Sequence, residues 1–256
     1  MGIDERLIGA LHVQSMPESE LAADQPVGIF QASTITALLD GAYDGDVSFA
    51  ELEGRGDLGL GTLNGVDGEM IAIDGLFLKA DVAGDLEVIP AEAKTPFAVL
   101  ANFDPGHRFE LAAVGSLDEL GAAIDAEVDH PEQVHAVRID GRFYQVHARS
   151  VPKQSKPYRP LAEVIADQHT FDFVDVEGTM VGFRFPDREE GLNVPGYHLH
   201  FATEDRSRGG HVLDCSLEAG TVQVDDSADV HLELPAGVEL GADGDEGALR
   251  RVERED

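Results

Sequence analysis

Asp-Gly and Asn-Gly pairs cut the stretch GDLGLGTLNGVDGEMIAIDGLFLKADVAGDLEVIP into short apolar runs, and this punctuation restricts the fold more than any other feature of the chain. Both residues of such a pair tolerate positive φ, which a two-residue hairpin turn of matching twist requires. The runs between them are too short for helices and are strand-sized. The segment AVRIDGRFYQVHARSV reads the same way, with Asp140-Gly141 as its turn. A second hairpin is expected in GYHLHFATEDRSRGGHVLDC, where Glu204 to Ser207 and Arg208-Gly209-Gly210 carry turn chemistry.

Helical spacing is rarer. Ile35, Leu38, Leu39 and Ala42 form a stripe that predicts a helix from Ser33 to Tyr43, with Ser33 as its cap. Ser116 followed by Glu119 is a capping-box pattern, and Leu117, Leu120 and Ile124 give that helix, Ser116 to Glu127, its buried face. A third helix is expected over Leu161 to Gln168, and alternating strands from Phe171 to Leu234. The first thirty or so residues read as irregular, VPKQSKPYRP as a linker, and GADGDEGALRRVERED as a charged tail. No repeat is found. The sum is an α/β chain of α+β character, with mostly antiparallel or mixed β-sheets and few helices.

The histidines bring chemistry into this frame. On a strand, the spacing of His198 and His200 puts both imidazoles on one face, and a hairpin would return His211 beside them. Three neutral nitrogens on rigid strands suit a divalent metal with coordination positions left open. Three readings stay open on these residues alone. One is a catalytic metal site. Another is a cupin-like oxygenase with Glu204 as a further ligand. The last is a metal- or ligand-binding domain without catalysis, or histidines that fall at these spacings by chance. Glu69, at the start of an apolar run, is either a solvated strand-end residue or a functional carboxylate. Arg149 is either a surface residue or a carboxylate clamp, whose planar fork matches that anion. His147 is read as its structural neighbour. His12, His107, His130, His135, His169 and His231 lack paired spacing and read as ordinary.

Charge narrows the partners. The formal net charge is −32 over 256 residues, with carboxylates spread along the whole chain. Such a surface repels nucleic-acid backbones. It suits concentrated salt, where screening acts within roughly 3 Å at 1 M, and predicts a protein adapted to high intracellular salt. No apolar run reaches membrane-span length, so no membrane partner is expected. Cys215 is the lone cysteine, which together with a mixed, acidic N-terminus predicts a cytoplasmic location.

From about Val27 onward the chain resembles the alpha-acetolactate decarboxylases. The matching segments are FQASTITALLDGAYDGD, GDLGLGTLNGVDGEMIAIDG, KTPFAVLANF, HAVRIDGRFYQVHARSVPKQSKPYRPL and GYHLHFATEDRSRGGHVLDC, in family order. The resemblance implies decarboxylation of 2-acetolactate to acetoin and carbon dioxide through an enediolate stabilised by zinc. It implies His198, His200 and His211 as zinc ligands, Glu69 and Arg149 as catalytic groups, Arg149 also binding substrate, and Thr62 as a pocket residue. A glutamate from the C-terminal tail reaches the site in this family. Glu253 is the best match here and Glu255 the next. The resemblance further implies a homodimer of two-domain subunits with the site in the cleft between domains. The expected division is an extension at 1–26, an N-terminal domain at 27–152, a β-rich metal-binding domain at 153–240, and a tail at 241–256 that returns to the site.

Overall fold

A computed structural model describes residues 11–14, 28–128, 133–186, 192–227 and 230–234. Its strands in chain order are β1 (Leu11–Gln14), β2 (Ile29–Ala32), β3 (Val47–Ser48), β4 (Leu58–Thr62), β5 (Glu69–Ile73), β6 (Leu76–Ala80), β7 (Leu86–Val88) and β8 (Lys94–Thr95). There follow β9 (Phe97–Ala101), β10 (His107–Leu111), β11 (Val134–Ser150), β12 (His169–Phe185), β13 (Gly196–Thr203), β14 (Gly209–Ser227) and β15 (Val230–Glu233). The helices among the described residues are α1 (Ile35–Leu39), α2 (Phe49–Leu52), α3 (Leu117–Asp125) and α4 (Leu161–Ile165). The fold is therefore mostly sheet, as expected.

Eight strands form a mixed sheet in the order β1-β15-β2-β9-β4-β5-β6-β7, parallel only along β1-β15-β2. The segment expected to be irregular thus contains both β1 and β2. A five-stranded antiparallel sheet runs β10-β14-β11-β12-β13. The start of β14 also pairs with β13, so β11 to β14 close on themselves as a small barrel. Strands from both sides of residues 152/153 share this sheet, because β11 runs up to Ser150 while β12 to β14 follow the proline-rich stretch. A further short pair joins β3 to β8.

Period-two alternation builds three apolar layers. Leu199, Phe201, Val212, Phe143 and Phe173 fill the barrel beneath Leu120 and Ile124 of α3. Phe201 meets Phe143 and Phe173 at ring distances of 5.5 and 5.3 Å. Burying each such ring contributes about 1.5–3 kcal/mol. Leu58, Leu60, Ile71, Ile73 and Val99 face Ala136, Val181, Phe183 and Ala202 between barrel and sheet. Met70, Ala72, Ala98 and Leu100 turn to the far side of the eight-stranded sheet, against Phe49 and Leu52 of α2.

Local expectations met mixed outcomes. Asp74 and Gly75 have φ of 53° and 75° and close the β5–β6 hairpin in the way their chemistry demands. Asp140-Gly141 is not a turn. It lies inside the 17-residue β11, with Gly141 opposite both Gly178 and Gly220. A Cβ on Gly141 would sit 2.7 Å from the Ala219 carbonyl, so glycine is needed there for close strand approach. α1 is capped by Thr34, whose hydroxyl accepts from Ala37 N–H at 3.2 Å; Ser33 sits at φ 64° and does not cap. Ser116 caps α3 as expected, but Glu119 reaches the N–H of Gly115 rather than that of Ser116. The complete capping box belongs to Ser48 and Glu51 on α2. α4 ends at Ile165, three residues short of the expected Gln168.

Candidate active site

The site lies where the outer wall of the barrel packs on the inner face of the eight-stranded sheet. His198 and His200 alternate with Leu199 and Phe201 on β13, so apolar residues face the barrel interior and both imidazoles face outward. The turn after Thr203 returns the chain so that His211 stands directly opposite His200. On its other side His211 stands opposite Arg149 of β11. Pairing across three strands therefore brings together residues 62 positions apart in the chain. The facing sheet contributes Glu69, at the start of β5, and Thr62, its partner across β4.

All these side chains are buried. The nitrogens of His198, His200 and His211 lie within 4.8 Å of one another. His200 Nδ1 donates to the Met70 carbonyl at 2.8 Å, which fixes its tautomer and leaves the Nε2 lone pair pointing toward His211 Nδ1, 3.2 Å away. Two nitrogens on a tetrahedral ion with bonds of about 2.0–2.1 Å would be about 3.3 Å apart, so the spacing fits. Burial, reinforced by His200 and by the Arg149 charge, holds His198 well below the usual histidine range. Burial and Arg149 push His200 down to about 3, against the opposing Met70 hydrogen bond. Both rings are thus neutral with lone pairs available, the state a metal requires. The donor set fits a divalent ion held by three histidines.

Glu69 lies 3.3 Å from Arg149 Nη1 and 3.7 Å from His200 Nε2. Burial raises its carboxyl pKa, and the Arg149 charge pulls it back in part. Thr62 lines the same cavity, and its hydroxyl donates to the Gly68 carbonyl at 2.7 Å. That bond braces the backbone just before Glu69. The remaining wall is apolar: Ile35 and Leu38 of α1, Leu161 of α4, Val66, Phe97 and Val151.

Sequence spacing missed the Met70 carbonyl, since a backbone acceptor carries no side-chain signal. It also read Ile35 and Leu38 as an ordinary helix stripe, and Leu161 only as the start of a helix. The α1 stripe is real, but part of it faces the cavity, as does Leu161. Glu253 and Glu255 lie outside the described residues. Glu204, the extra ligand of the cupin reading, is exposed in the hairpin turn and outside the histidine cluster. His147 pairs with Asp172, and His107 and His135 share Asp226. Cys215 is buried, and burial pushes its thiol up to about 12. Among the described residues no helix is long and apolar enough to cross a membrane.

Comparison with known proteins agrees with this geometry. The sequence signature of the alpha-acetolactate decarboxylases matches residues 29–241. An alpha-acetolactate decarboxylase of Methanosarcina mazei is 43% identical over 231 residues, covering 88% of this chain and 80% of the relative. One from Methylococcus capsulatus is 44% identical over 216 residues, covering 84% and 83%. The crystal structure of alpha-acetolactate decarboxylase from Bacillus subtilis strain 168 superposes with a TM-score of 0.85 at 36% identity, over 88% of this chain and 99% of that one.

Proposed function

The chain belongs to the alpha-acetolactate decarboxylase family, and on that footing we propose that it converts 2-acetolactate to acetoin and carbon dioxide. The observation that carries this reading is one cavity holding three buried imidazoles beside a buried Arg149–Glu69 pair.

His198, His200 and His211 would hold the metal, zinc in this reading. A divalent ion held there would supply Lewis-acid stabilisation of the negative charge that develops as carbon dioxide departs. Arg149 binds the carboxylate through its planar fork and aims it for departure. Glu69 holds the guanidinium in place at 3.3 Å. Its burial also raises the carboxyl pKa and so favours the protonated form, whose proton would go to the carbon that lost carbon dioxide. Ile35, Leu38 and Leu161 face the substrate's methyl groups. Thr62 acts through the turn it braces. Glu253, or Glu255 in its place, completes the site from the tail. Glu253→Gln and Glu255→Gln assayed side by side identify which one does, by the loss of turnover.

The same reading makes the enzyme a cytoplasmic homodimer without nucleic-acid or membrane partners. It also assigns the net charge of −32 to life in concentrated salt. Sedimentation in high salt tests the dimer. A thermal midpoint that fails to fall in dilute buffer counts against salt adaptation. The central test is to incubate purified protein with 2-acetolactate in high salt and to follow carbon dioxide and acetoin. A chelator should stop the reaction and zinc should restore it. Metal bound without acetoin formation would overturn the enzymatic reading.

A further inference from the structure

The tip of the histidine hairpin is stapled to the eight-stranded sheet. The hairpin turn first closes on itself, with Thr203 N–H donating to the Arg208 carbonyl at 2.8 Å. It then reaches across to the β6–β7 turn. Leu86 N–H donates to the Ser207 carbonyl at 2.8 Å, and Gly209 N–H donates to the Gly84 carbonyl at 2.9 Å. The Arg208 side chain lies over this junction. It donates to the Ala83 carbonyl at 2.6 Å and approaches Asp85 at 3.5 Å. Its guanidinium stacks 5.3 Å from the Phe173 ring and 6.0 Å from that of Phe171.

Phe171 links the staple to the metal ligands. A Cβ on Gly84 would come within 2.8 Å of its ring, and one on Gly210 within 3.0 Å. Gly210 immediately precedes His211. The ring is therefore a spacer between the β6–β7 turn and the backbone that carries the third histidine. The His200–Met70 hydrogen bond, at 2.8 Å, spans the same gap between barrel and sheet. An exposed ion pair alone would contribute little. The Arg208 contacts are of another kind, a donor on a backbone carbonyl and a guanidinium set over two aromatic rings.

We propose that Arg208 is a positioning residue for the three histidines. By holding the hairpin tip to the β6–β7 turn, it sets the separation at which His200, His211 and the Met70 carbonyl meet, and so governs how long the site retains its metal. The inference rests on reading the histidines as a metal site.

The test uses full-length protein, zinc-loaded in high salt, with zinc transfer to a chelating dye timed while circular dichroism follows the folded fraction. Arg208→Ala should release zinc about tenfold faster. Arg208→Lys keeps a donor but loses the stack, and Phe171→Leu loses the spacer; both should fall between that variant and the parent. Arg138→Ala is the control. Arg138 bridges Asp74 and Asp140 at 2.6 and 2.7 Å and makes no hydrogen bond or ion pair with the described residues of the hairpin, meeting Arg206 there only as a like charge, so its loss should leave the release rate unchanged. Parental release from folded Arg208→Ala, or equal acceleration by Arg138→Ala, would overturn the proposal. If Arg208→Ala does not fold, the Lys and Leu variants decide by the same criterion. A parent protein without stoichiometric zinc overturns the metal reading itself and this inference with it.

Discussion

The barrel and the eight-stranded sheet contribute to the site in different currencies. The barrel supplies charge and lone pairs: Arg149 from β11, His198 and His200 from β13, and His211 from β14, all neighbours through strand pairing. The eight-stranded sheet supplies one carboxylate, Glu69, and otherwise braces, through the Met70 carbonyl and the Thr62–Gly68 bond. Strand pairing sets relative positions within the barrel through backbone hydrogen bonds. Side-chain contacts across the gap, such as Glu69–Arg149 at 3.3 Å, depend instead on how two separately formed layers dock. On the proposed reading, metal binding resides in the barrel and proton delivery in the sheet that packs against it.

Removing a barrel ligand should have the largest effect. His200→Ala should lose stoichiometric zinc, and turnover should fall by about a thousandfold or more. Full metal content with full activity would dissolve the distinction between the two layers. Arg149→Lys comes next, with kcat/KM lower by about a hundredfold, because an ammonium cannot reproduce a two-pronged grip on carboxylate. Glu69→Gln, on the other layer, should lower kcat while zinc content stays at the parental level. Zinc lost from that variant would mean the eight-stranded sheet holds the metal too.

A smaller effect is expected at the apolar wall. Leu38→Ala should raise the ratio of kcat/KM for the substrate's ethyl homologue over 2-acetolactate by about tenfold, the order of one methylene in an apolar pocket. The ratio is independent of how much enzyme is active, so an unchanged value would remove Leu38 from the substrate's path. The smallest effect concerns the hairpin turn. The Thr203 and Ser207 hydroxyls, with the Ser207 N–H, hold Asp205 down to about 2 from 3.8. Its contribution to stability is complete above 3.8 and is lost as pH falls toward 2. Asp205→Asn should therefore be less stable than the parent at neutral pH, with the gap in denaturant midpoints closing across that window. A constant gap would assign the turn's order to the backbone alone.

How far the sequence could be read is clearest at two of the Asp-Gly pairs in its strand-rich segments. Asp74-Gly75 is a turn because the chain on either side is short and nothing crowds it; a Cβ on Gly75 would meet no atom within 4 Å. Asp140-Gly141 has the same local preference, yet a strand runs through it. Pairing on both sides, with Gly178 and Gly220 opposite, outweighs a turn preference that acts on two residues only. Arg138 touches both aspartates and so ties the real turn to the false one. In the site, the histidine hairpin was legible because strand periodicity and turn chemistry agree over one short segment. Glu69 and Arg149 carried a weaker signal: position and side-chain chemistry left each open between a surface and a functional role, and the family resemblance favoured the functional one. The Met70 carbonyl and the cavity-facing parts of α1 and α4 were not legible at all.

The sequence by itself determined where most short strands break, that His198 and His200 share a face, and that the acidic surface is general rather than confined to a tail. These follow from φ preferences, side-chain alternation and composition, which act within a few residues or over the whole chain. Only the tertiary structure decided that β14 pairs back on β11 to complete a barrel, that Arg149 stands beside His211, and that Glu69 faces them from another sheet. Those outcomes rest on pairing and packing between residues 62 or more positions apart, where local preferences carry no information and the cooperative burial of two apolar layers selects the arrangement.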